Sequence, residues 1–201
     1  MPKYFVLKCL PPIEAEYYRL QVGYPANDKR WEAGLVFSSQ NRSEELQPPP
    51  VPIGVRTETE ESDIPNVYAE LYWNPIPLMT RRLVRALQGA GIDNLQTYET
   101  ALESAQGPNP PAADHYLAVN IVGRVAAADL GKSEINPDTP ERMISTDFHS
   151  LSIDESKARA LLMFRLAENV TAVLVHEHVK EQVERSGIGT LTWPAPEEWA
   201  G

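Results

Sequence analysis

The feature that most constrains this chain is a short pattern that occurs twice, once from Pro77 to Ile92 and again from Val173 to Ile188. In the first copy Thr80 has the side-chain oxygen to accept a hydrogen bond from the free amides of a first helical turn. Leu83, Val84 and Leu87 fall on one face of the helix that follows, and Arg81, Arg82 and Arg85 read as its solvated side. Gly91 stands where a helix ends in a left-handed residue, a conformation glycine adopts at little cost. Ile92, Leu95, Thr97 and Tyr98 then begin a strand. With Gly187 set on Gly91, Val179 falls on Leu83, Val183 on Leu87, Ile188 on Ile92 and Leu191 on Leu95, and His176 takes the place of Thr80. The two units are expected to pack as equivalent elements.

Around these units the periodicity is that of strands. Lys3 to Leu10 reads as a first strand stopped by Pro11 and Pro12, with Tyr17 to Tyr24 and Trp31 to Phe37 as further strands around a turn at Pro25. Residues 38–53 form a proline-rich loop. Tyr116 to Asp129, the most apolar stretch, predicts a buried strand bent at Gly123 and a second extended segment. Leu151 to Lys157 begins as a strand, and Ala158 to Glu168 mixes helical and strand spacing. Trp193 to Trp199 is expected to be an extended tail whose tryptophans pack back on the body. Strands precede helices without regular alternation. The fold class is therefore α+β, with a mixed, mainly antiparallel sheet and two similar helix–turn–strand units. Residues 1–201 are read as one domain, β-rich over 1–74 and helix–strand over 75–201.

With 201 residues, 42% of them hydrophobic, the chain can bury a sizeable core. No run of about 18 or more apolar residues occurs, and the start of the chain is too short and charged for a signal peptide. The single cysteine, Cys9, excludes an internal disulfide and fits a reducing compartment, so a cytoplasmic location is expected. The formal charge of −10 repels phosphate backbones and anionic lipid, so neither nucleic acid nor membrane is an expected partner. It attracts a basic one. The acidic residues concentrate in Glu58, Glu60, Glu61 and Asp63, with Glu70 following. Read without a partner, such a run is a solvated strand edge that discourages unwanted pairing.

Catalytic motifs are absent: no phosphate loop, nucleophile elbow or zinc-protease helix occurs. No catalytic, cofactor-binding or metal residue is assigned. On a strand His176 and His178 would face one way and could share a metal given a third ligand. On a helix they would point about 200° apart, and they stand where the second helix begins. His115 and His149 are isolated, and Asp154, Glu155, Lys157 and Arg165 read as a charged turn with local ion pairs.

Across Pro75 to Leu87, Ala90 to Gln96, Tyr116 to Asp129, Ile153 to Lys157, Phe164 to Glu168 and Val179 to Ile188, the chain resembles a family of bacterial polymorphic-toxin immunity proteins. That family was first defined from a myxobacterial protein and long catalogued as a domain of unknown function. The resemblance covers roughly residues 70–193 and departs at His176, where the family tends to a serine or threonine cap. It implies a cytoplasmic antidote that binds and blocks a toxin encoded beside it, in such systems often a nuclease. An acidic body can fill the basic cleft a nuclease keeps for phosphates. The expected contacts are Glu58, Glu60, Glu61, Asp63 and Glu70, with Tyr68, Tyr72 and Trp73 as aromatic anchors. The alternative is an enzyme or small-ligand-binding domain, which requires a deep pocket with convergent polar groups and perturbed titrations.

Overall fold

Both sequence units fold as a strand, a capped helix and a glycine turn. The computed structural model describes residues 3–23, 29–58, 63–104, 116–138 and 145–201; the expected turn at Pro25, together with Glu60, Glu61 and His115, lies outside them. Strand Leu78–Thr80 runs into helix α1, Arg81–Gly89, where Thr80 Oγ1 accepts from the Leu83 amide at 3.2 Å. Strand Val173–His176 runs into helix α2, Glu177–Arg185, where His176 Nδ1 accepts from the His178 amide at 3.1 Å. The imidazole thus does the work of the expected hydroxyl. Gly91 and Gly187 follow with φ of 94° and 78°.

The likeness extends beyond the helices to the strands that flank them. Tyr116 pairs with Thr80 and Ile121 with Leu95, as Tyr4 pairs with His176 and Cys9 with Leu191. On the other side Leu71 pairs with Met79 as Met163 pairs with Val175. Even single ladder bonds correspond: Val119 N donates to Pro77 O and Leu7 N to Val173 O, both at 2.9 Å. The first unit takes its partner strand, Tyr116–Ile121, from the chain after it; the second takes Tyr4–Val6 and Lys8–Cys9 from the other end of the chain.

Each unit seeds one larger sheet. In the first, the order is Arg19–Val22, Ile53–Glu58, Leu95–Ser104, Tyr116–Ile121, Leu78–Thr80 and Leu71–Tyr72, antiparallel throughout except for the parallel pairing of Ile53–Glu58 with Leu95–Ser104. In the second, the order is Tyr4–Val6, Val173–His176, Met163–Leu166 and Arg124–Val125, the last pair parallel. The chain passes from one sheet to the other at Gly123, as the bend there predicts. This is an α+β fold with mixed, mostly antiparallel sheets.

Three apolar clusters follow from the alternation of side chains. The central one joins both units: Leu83, Val84 and Leu87 of α1 meet Val179 and Val183 of α2, with Leu117, Val119 and Ile121 from one sheet and Val173 and Val175 from the other. Tyr116 and Ala118 turn to an outer cluster with Trp31 and Phe37, while Tyr4 and Val6 turn to another with Phe148 and Trp199. The expected return of the C-terminal tryptophans is seen in Trp199, which is buried, and in Trp193, which packs against the central cluster.

Three expectations are corrected. Trp31 to Phe37 is not a strand but a 3-10 turn, Lys29–Trp31, followed by irregular chain. The Gln96 side chain takes the place of a ladder there, accepting from Phe37 N at 2.8 Å and donating to Phe37 O at 3.0 Å. Leu151 to Lys157 holds only an isolated bridge at Ile153, because Asp154 Oδ1 accepts from the Ser156 amide and closes a turn; the strand is Phe148–Ser150. Lys157 does pair with Asp154, at 3.6 Å, but Arg165 leaves that turn for the buried strand Met163–Leu166.

Alanine at Gly91 and at Gly187 is expected to cost about 1–2 kcal/mol each, the penalty for a side chain in the left-handed region. Gly91→Ala should cost more, since its Cβ would stand 3.2 Å from Leu162 Cδ1 whereas nothing lies within 4 Å at Gly187. Urea unfolding of the two variants measures both, and wild-type midpoints for both would refute the helix-stop role.

Candidate functional site

The expected contact residues separate into three places. Glu58 ends strand Ile53–Glu58, half-buried and bonded to Gln21 Nε2, in register with Arg19. Asp63 is exposed, and Tyr68 is half-buried with its ring 4.5 Å from that of Tyr18. Glu58 thus ends the second strand of the six-stranded sheet, whereas Asp63 and Tyr68 flank strand Asn66–Val67, which pairs with Glu16–Tyr17. Glu70 instead serves the helix start: its carboxylate accepts from Thr80 Oγ1 and pairs with Arg82. Tyr72 is buried in an outer cluster, where its hydroxyl accepts from Ala69 N at 3.0 Å, so it packs the core and is no surface anchor. Trp73 faces elsewhere again, into a cavity.

That cavity, of about 680 Å³, opens between the first strand segment, the chain around Trp31, the chain around Trp73, and Arg165 with the C-terminal residues. Its walls include Trp31, Trp73, Trp199 and Arg165, with Lys8 and Lys29 among its basic residues. Register sets the facing pair. Leu71 and Met163 are equivalent, so two residues on Trp73 and Arg165 are equivalent too, and the guanidinium lies 5.7 Å from the Trp73 ring. Arg165 is only 2% exposed. Its Nη1 donates to Val170 O, while Nε and Nη2 have no hydrogen-bond partner among the described residues. Trp31 Nε1 is also buried without a partner. Burial lowers the Arg165 pKa to about 10, opposed by the charge of Glu32 and reinforced by Arg124. Lys8 Nζ lies 5.9 Å from the Trp199 ring, and Glu32 is exposed.

Among the described residues no group of three or more His, Cys, Asp or Glu stands where it could hold a metal ion. His176 has its Nδ1 committed to the α2 cap, and its ring meets Tyr4 edge-on at 5.5 Å. Among those residues, too, no helix is long and apolar enough to cross a membrane.

Compared with known families, residues 13–195 match the model of the immunity protein family Imm11. The chain belongs to the Imm11 immunity protein family. Membership assigns an immunity role and implies a cognate toxin as partner. The match to Imm11 spans Trp31, Trp73 and Arg165, while Lys8 and Trp199 fall outside it. No curated protein matches the chain.

Sequence reasoning passed over the cavity. The one signal in this Imm11 chain was a charged residue inside the apolar run Leu161 to Leu166, and it was read as part of a charged turn.

The buried phenols of the frame yield a pH dependence. The Tyr116 hydroxyl donates to Ala69 O, and the Tyr4 hydroxyl donates to Ala158 O and to Leu161 O, the latter at 2.9 Å. Burial pushes the Tyr72 pKa up to about 12 and raises Tyr4 and Tyr116 as well. Unfolded tyrosines ionise near 10, so above that pH the unfolded state gives up protons first and stability falls. The urea midpoint is expected to drop between about pH 10 and 12. A level midpoint over that range would remove the buried phenols from the account.

Proposed function

We propose that this immunity protein neutralises a basic nuclease toxin by stoichiometric binding in the cytoplasm, blocking its active site without catalysis of its own. The observation that carries the reading is family membership joined to a formal charge of −10. Carboxylates at and after the end of strand Ile53–Glu58 would stand in for the phosphates the toxin's cleft is built to hold. Glu58 and Asp63, with Glu60 and Glu61 between them in sequence, are the residues we assign to that surface, and Tyr68 is its aromatic member. Glu70 and Tyr72 drop out of the contact set because α1 and the core occupy them. The complex is expected to bury about 1,600 Å² in total.

Co-expression with the toxin domain encoded beside this protein tests the reading directly. The toxin should be tolerated and the two chains should co-purify; toxicity unrelieved and no complex would end it. Reversing Glu58, Glu60, Glu61 and Asp63 to lysine is expected to slow association roughly tenfold at low salt, with the gap closing as salt rises. An unchanged association rate would place the contact elsewhere.

A further inference from the structure

The cavity beside Trp73 and Arg165 gathers several hydrogen-bond donors. Arg165 has Nε and Nη2, the edge of a guanidinium that grips a carboxylate with two parallel hydrogen bonds, both buried and without a hydrogen-bond partner among the described residues. Trp31, from a distant part of the chain, adds to the same walls a residue whose buried Nε1–H has no hydrogen-bond partner among the described residues. Lys8 and Lys29 add positive charge. The acid in the lining, Glu32, is exposed and makes no hydrogen bond to Arg165 Nε or Nη2. A buried cation left this way destabilises a fold, so a structural role alone accounts for it poorly. The rest of the lining mixes apolar Leu7, Leu10, Pro75 and Pro77 with polar Asn74 and Thr171, and about 680 Å³ suits a small organic ligand or an inserted side chain.

We propose that this cavity is a binding site for a carboxylate carried on a flat apolar group, with Arg165 gripping the carboxylate side-on and Trp73, Trp31 and Trp199 enclosing the apolar part. The acid is either a free small molecule or a group presented by the toxin. The chemistry is the same for both, and the site does not depend on the toxin being a nuclease.

Benzoate is the probe, with neutral benzamide as its isosteric control, followed by calorimetry and by tryptophan fluorescence on the intact chain. Benzoate should bind saturably and at least about tenfold more tightly than benzamide, reflecting loss of a charge-assisted pair. Arg165→Met should abolish the difference while keeping or raising Tm, because it removes an uncompensated buried charge. Should that variant fail to fold, Arg165→Lys keeps a charge but not the planar fork and should weaken benzoate selectively. Equal binding of the two probes, no saturable benzoate binding, or unchanged benzoate binding in a folded variant would each overturn the proposal. Adding the toxin domain separates the sources: benzoate released on complex formation identifies the toxin as the acid donor, and benzoate retained in the complex identifies a free small acid.

Discussion

The structure depends on two short helices burying their apolar faces in one shared core. Each spans nine residues, too short to be stable alone in water. Leu83, Val84 and Leu87 of α1 and Val179 and Val183 of α2 are withdrawn from solvent only where α1 packs on α2 between strands of both sheets. At roughly 1.5–3 kcal/mol for each fully buried Val or Leu side chain, that contact is among the larger favourable terms available to the fold. It also ties the ends of the chain together, since α2 follows a strand whose partner is Tyr4–Val6.

The doubled frame explains where similarity was kept and where the units diverged. Tyr4 and Tyr116 hold equivalent positions and do equivalent work, each sending a buried hydroxyl to backbone carbonyls. The caps kept their role with different chemistry, a hydroxyl at Thr80 and an imidazole at His176. Trp73 and Arg165 are equivalent by register yet differ completely, and their difference makes the wall of the cavity. A frame that twice satisfies its ladder bonds, caps and core can tolerate one buried cation whose hydrogen bonds are only partly met.

The protein therefore carries two regions of opposite electrostatic character. Its net charge of −10 governs long-range encounter, which favours a basic partner. The cavity is local and rich in donors, and charge summed over the chain conceals it. Residues grouped as one acidic and aromatic surface belong to both regions and to neither: Glu58 ends a sheet strand, Asp63 is exposed, Trp73 lines the cavity, and Glu70 holds the start of α1.

The units at Pro77–Ile92 and Val173–Ile188 were legible because caps, helical spacing and left-handed glycines are local, each written within about one helical turn of chain. The bend at Gly123 was legible for the same reason, and so was the α+β class. Family membership was readable too, through motifs that build the frame. Strand pairing was not: the partners of the two units lie on opposite sides of them in sequence, so only register reveals that Tyr4 corresponds to Tyr116. The failure at Trp31–Phe37 has the same origin, because its apolar alternation is answered by the distant Gln96 amide and not by a ladder. Arg165 looked like part of a charged turn until tertiary structure buried it opposite Trp73. Local chemistry thus determined the elements and the family, whereas burial and register, which depend on what lies across space, decided which side chains remain open to a ligand.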